Sequence, residues 1–362
     1  METRGFTHTG YDLLIEWYHQ MASQHTDKAI TLKQVIDKQI DSIKELDEIF
    51  DYYTLFNFRF EMLQGNFEND LEGLAHVQER PDTRLQYYYH FFKFIYATEM
   101  GQYTKAEYHM ELAESLLPIL DSELETAEYH YRVALYYYYL AQATLAVNHV
   151  TKALEYFSSD EAYEMKVAAC KNTLGMASIT LGQFEMAEEY LVSALNDFQQ
   201  LNAPSLLLLK VRYNLGKLYS DQELPELAIR HLTDVYPSFP KENTSNYVKL
   251  LRTLAQNHIA LQEQDAAALY IEEGLKICNK EFYYHFSILK ALNNNEPVER
   301  LEEILQEATP YFEEQELWRE LELYAEVLGN KWYNMGEKEK ACDYYRMNLQ
   351  SRKILNEKGS LK

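Results

Sequence analysis

Ala106, Ala146, Ala187, Ala228 and Ala267 recur at intervals of 40, 41, 41 and 39 residues, and each sits in the same local frame. In the frame around Gly175, a small residue is followed twelve positions on by a second small one, Ala187, then by a large one, Leu191, and a third small one, Ala194. Gly216, Ala228 and Leu232 repeat the pattern, as do Ala255, Ala267 and Gly274, and Ala134, Ala146, Val150 and Ala153. Gly329 and Ala341 carry it near the C-terminus, and only the unit around Phe282 to Phe312 is degenerate. Small residues at these points let two antiparallel helices approach closely, and the large one fills the groove to the next pair. A period of this length commits a chain to stacked helical units, each burying its apolar face only against its neighbours.

Apolar residues at i, i+3, i+4 and i+7 run through almost every window, and only 12 Gly and 8 Pro interrupt 362 residues, so the expected class is all-α. From about residue 85 to 362 the units resemble tetratricopeptide repeats (TPR) with lengthened helices. Such repeats form a right-handed superhelix whose concave wall commonly holds a peptide. Residues 1–64 read instead as a three-helix bundle. Leu14, Trp17, Tyr18 and Met21 stripe a first helix; Leu32, Val35, Ile36, Ile40 and Ile43 stripe a second, capped by Asp27 or Thr31. The third contains FDYYTLFNFRF (Phe50 to Phe60), with Ile49, Tyr53, Phe56, Phe60 and Leu63 on one side and Asp47, Phe50, Thr54 and Phe58 on the other. That second side reads either as a face sandwiched against the first repeat or as a docking surface with aromatic anchors. Residues 65–84, polar and containing Pro81, read as a hinge.

A formal charge of −23 argues against direct nucleic-acid or anionic-membrane binding, and 47% hydrophobic residues argue against disorder. No apolar run approaches a membrane span and no leader pattern opens the chain, so a cytoplasmic location is expected. Cys170, Cys278 and Cys342 lack metal or disulfide spacing and read as reduced, buried thiols. Phosphate loops, zinc motifs and serine elbows are missing from the sequence, so no cofactor or metal is expected. The run Tyr136 to Tyr139 reads as packing.

The segments EWY (Glu16 to Tyr18), YYTLFNFRF (Tyr52 to Phe60), YYYHFFKFIYATEMGQYTKAE (Tyr87 to Glu107) and TAEYHYRVALYYYYLAQAT (Thr126 to Thr144) together resemble the Rap family. Its members are peptide-regulated response-regulator aspartate phosphatases and TPR quorum-sensing receptors. The resemblance implies that the bundle docks a response regulator or transcription factor through Asp47, Phe50 and Phe58. It also implies that a short Phr-like signalling peptide in the TPR groove switches the protein off. Family phosphatases carry a glutamine five residues before the Tyr52–Tyr53 pair, where an amide can orient the attacking water; Asp47 stands there instead. A carboxylate there would repel the developing charge on the phosphoryl group. Gln39 is a poor substitute, two helical turns away. The expectation is therefore a regulator bound and inhibited without hydrolysis, with a phosphatase or a TPR scaffold as alternatives. In the groove the frame selects Lys210, Tyr213, Asn214 and Lys217 from one unit and Lys249, Arg252, Thr253 and Gln256 from the next. Asn214 matches the family's peptide-backbone asparagine. Ala177 and Thr180 stand where many members have an Asn and an Asp, which predicts a neutral or acidic peptide rather than one bearing arginine.

Overall fold

The computed structural model describes residues 2–66, 71–241 and 244–360, with side chains of 2–9, 71, 72, 78 and 244 outside the description. No strand occurs among the described residues. The N-terminal bundle consists of α1 (Glu2–Ala22), α2 (Thr26–Asp37), α3 (Ile40–Lys44) and α4 (Asp47–Leu63). Seven helix pairs follow: α5 (Thr83–Glu99) with α6 (Tyr103–Leu120), α7 (Glu123–Tyr139) with α8 (Ala143–Phe157), α9 (Glu164–Thr180) with α10 (Phe184–Gln200), and α11 (Ser205–Asp221) with α12 (Pro225–Val235). The last three are α13 (Thr244–Ala260) with α14 (Gln264–Ile277), α15 (Lys280–Asn293) with α16 (Val298–Glu314), and α17 (Trp318–Asn334) with α18 (Lys338–Lys358). The all-α class, bundle then repeat array, is the one the period predicts.

The expected second helix is broken into α2 and α3 at Lys38–Gln39, so the bundle has four helical segments. Nothing in residues 36–41 forces the break. Of its predicted stripe Ile36 and Ile43 are buried, whereas Val35 is exposed. Neither proposed cap serves: α2 starts at Thr26 after His25 with no side-chain cap, and Thr31 lies inside the helix, its hydroxyl donating to the Asp27 carbonyl at 2.9 Å.

The small residues of the frame do what their size allows. A Cβ added at Gly216 would stand 2.5 Å from Leu232, and one at Gly175 would stand 2.7 Å from Leu191, so the paired helices touch through hydrogen. Ala146, Ala187, Ala228 and Ala267 are fully buried at these crossings. Of the cysteines, Cys170 is buried but Cys278 is only half-buried and Cys342 is exposed, which corrects the expectation for both.

Helix α4 is covered on both sides. Tyr18 stacks on Phe56 at 5.2 Å and Trp17 packs against Phe60 at 5.5 Å, closing the bundle. From the other side Tyr88 of α5 meets Phe56 at 5.0 Å and Tyr96 meets Phe58 at 5.6 Å. The connector is anchored as well: Asp51 pairs with Arg80 at 3.0 Å and His76 at 3.1 Å, and Tyr52 donates to Asp82 at 2.7 Å. Val77 is fully buried. Residues 71–84 thus hold the bundle on the array where the composition suggests a hinge; part of that expected hinge, residues 67–70, lies outside the described residues.

The array curls until its sixth pair meets its first. Thr104 donates to the Glu314 carbonyl at 2.6 Å, and Asn279 donates to the Met100 carbonyl at 3.4 Å. Gly101 makes this possible. Its φ is +71°, and a Cβ there would lie 2.8 Å from Glu281 Oε2. The result is a ring of helices around a central groove, with α4 along one side.

Candidate functional site

The groove encloses a cavity of about 900 Å³. All seven residues selected for peptide contact, Lys210, Tyr213, Asn214, Lys217, Lys249, Arg252 and Gln256, line it together. Equivalent faces of α11 and α13 place them there, one small-residue frame apart.

Several are already engaged. Asn214 is buried and donates to Asn172 Oδ1 at 2.8 Å; Tyr213 and Thr253 share a hydrogen bond at 3.3 Å. Lys217 pairs with Asp221 at 2.7 Å along its own helix. Arg252 reaches across to Glu320 of α17 at 3.0 Å. Despite the burial that opposes it, the Arg252 guanidinium holds the Glu320 carboxyl down to about 2. His285 approaches the same carboxylate at 3.8 Å and meets Tyr324 OH at 2.6 Å. Lys249 lies 4.1 Å from the Tyr139 ring centroid, and Lys210 makes no ion pair among the described residues, its pKa lowered by burial.

Sequence reasoning missed other lining residues: Arg132, Tyr138 and Tyr139 of α7, Asn172 and Met176 of α9, and Arg59 of the bundle. Tyr138 and Tyr139 turn half of the tyrosine run from packing to groove wall. The groove also holds acids, Glu99, Asp221, Glu281 and Glu320, so the missing aspartate at Thr180 does not leave it without negative charge. These carboxylates can stand opposite a basic peptide side chain, which corrects the expectation of a peptide without arginine.

The three residues expected to dock a regulator are not equally accessible. Asp47 is exposed at the start of α4, and Phe50 is half-buried, stacked on Tyr53 at 6.1 Å. Phe58 is 6% exposed against Tyr96, so in this arrangement the sandwich describes it and a docking surface does not.

Comparison with known proteins places these features. Residues 11–64 match the family model RapH_N, response regulator aspartate phosphatase H, N terminal. Response regulator aspartate phosphatase I of Bacillus subtilis (strain 168) is 24% identical over 369 residues, covering 97% of this chain and 93% of that protein. Among solved structures, a Rap protein complexed with competence and sporulation factor aligns at TM-score 0.81 and 21% identity, covering 97% of this chain and 99% of the other. The apo form of RapI aligns at TM-score 0.55 and 23% identity, covering 98% and 100%. In its bundle, its array and along nearly its whole length, this chain is similar to Rap proteins.

Proposed function

We propose that this protein is a peptide-responsive receptor that binds and inhibits a response regulator or transcription factor through its N-terminal bundle, and that a short peptide in the groove releases it. The observation that carries the reading is the single groove into which α4, α7, α9, α11, α13 and α17 all send side chains. An occupant touching α4 and the array at once favours the docked bundle, and linkage then ties groove occupancy to bundle position. Burial of Phe58 against α5 supports the same coupling: a regulator needing that ring competes with the compact arrangement. The peptide contacts are assigned to Lys210, Tyr213, Asn214, Lys217, Lys249, Arg252 and Gln256, and the regulator contacts to Asp47, Phe50 and Phe58. The reading carries a cytoplasmic location with it. No described helix is long and apolar enough to cross a membrane.

The name of the matched relative favours one alternative, an aspartyl-phosphate phosphatase. Asp47 speaks against hydrolysis here, because a carboxylate at that place opposes the charge that builds on the phosphoryl group. Response regulators phosphorylated in vitro and mixed with the protein separate the two. Sequestration predicts a complex on a sizing column with phosphate retained; phosphate release lost in Asp47→Ala would make the protein an enzyme.

A further inference from the structure

Where the bundle meets the array, charge does not balance. Glu128 of α7 accepts from Arg132 Nε at 2.9 Å and is bonded by Lys166, while Arg59 Nη2 of α4 stands 3.9 Å from its Oε1. Arg59, Lys166 and Glu128 are 3%, 0% and 1% exposed. Three cations thus share one buried carboxylate. Arg59 Nη2 is buried and donates no hydrogen bond. Lys210 and Lys249 add two more charges to this end of the groove, and Glu99, facing Arg59, Arg132 and Lys210, answers one. Burial and the nearby Arg132 lower Arg59 to about 10, and burial lowers Lys166 to about 8. Excess positive charge out of water is costly unless an anion meets it, and a guanidinium is shaped to take a carboxylate through two parallel bonds.

We propose that this end of the groove binds a carboxylate of the peptide ligand, with Arg59 making the contact from the bundle side and Arg132, Lys210 and Lys249 from the array. The proposal rests on the peptide-receptor reading and adds the ligand's chemistry and its regulatory consequence. An anionic group between Arg59 and Arg132 ties α4 to α7, so the ligand's charge fastens the bundle onto the repeats. A peptide can supply the carboxylate from its C-terminus or from an Asp or Glu side chain.

The test uses hexapeptide mixtures labelled with fluorescein at the N-terminus and made both as free acids and as C-terminal amides. Binding to the full chain is read by anisotropy, and the best binder is remade with its terminus amidated or each Asp and Glu changed to Asn or Gln. One of these neutralisations is expected to weaken binding at least tenfold, and which one it is names the source. Arg59→Gln should weaken the carboxylate form at least tenfold and the neutralised form less than twofold. Lys210→Gln and Lys249→Gln, which break no ion pair among the described residues, give the same contrast if Arg59→Gln does not fold. Equal affinity for charged and neutralised peptides, or equal loss on both, overturns the carboxylate site while leaving a peptide receptor standing. Binding of no mixture to the wild-type chain overturns both.

Discussion

Glu320 gives the most quantitative handle on the groove. Its carboxyl sits at about 2 in the folded protein against an ordinary 4.5, with Arg252 Nη2 at 3.0 Å as the main stabilising neighbour and a side chain 19% exposed. A folded value below the unfolded one means that the ionised carboxylate stabilises the fold above pH 4.5, and that this contribution fades as pH falls toward 2. The difference of about 2.5 units corresponds to roughly 3 kcal/mol at pH 7. At pH 3 the unfolded carboxylate is almost wholly protonated and the folded one still mostly charged, leaving about 1.4 kcal/mol. Glu320→Gln keeps the shape and removes the charge. Urea unfolding of both proteins, followed by far-UV circular dichroism, should show the variant less stable by roughly 3 kcal/mol at pH 7 and by about half as much or less at pH 3. A difference that does not shrink with acid, or one under about 0.5 kcal/mol at pH 7, the scale of an exposed pair, would refute the claim that this cross-groove pair holds α13 to α17.

Other consequences follow from particular contacts. Gly101→Ala puts a Cβ 2.8 Å from Glu281 and strains a left-handed φ, so closure of the first pair on the sixth should weaken by about 1–3 kcal/mol, seen as faster amide exchange at residues 100–104. Gly216→Ala forces Leu232 aside; overpacking of about 1–3 kcal/mol outweighs the helix-propensity gain of up to about 1 kcal/mol, so the melting temperature should fall. Lys166, lowered to about 8, binds fewer protons folded than unfolded between about 8 and its ordinary 10.5. Wild-type stability should therefore gain a component as pH rises from 8 to 10, and Lys166→Met should lack it.

The repeat made most of the array legible, because the small residues that permit close crossings sit at fixed offsets. The groove followed from the same frame: residues three before and one after the small position gave Tyr213 and Lys217 in one unit and Arg252 and Gln256 in the next. Carried back one unit from Gly175, those offsets name Asn172 and Met176, and from Ala134 they name Tyr131 and Leu135, all of which line the cavity. Applied to every unit, the frame would have found them. Arg59 lies outside any repeat, and its place depends on how α4 docks onto α5 and α7, a tertiary fact with no periodic trace. The break at Lys38–Gln39 carries no glycine or proline to mark it. The carboxylates opposite Arg252 come from α15 and α17, far along the chain, so a reading of α11 and α13 alone saw a positive groove where the closed ring has a mixed one.

Coupling between groove and bundle is the claim on which the functional account turns. It is tested most directly by forming a complex with a response regulator, titrating in a groove-binding hexapeptide, and following the regulator on a sizing column with wild-type protein and with Asn214→Ala. The account predicts that the peptide dissolves the wild-type complex at concentrations that saturate the groove, and that the variant, whose groove amide is lost, needs far more peptide. A peptide that saturates the groove while the regulator stays bound would contradict it, leaving a bundle and an array that act independently.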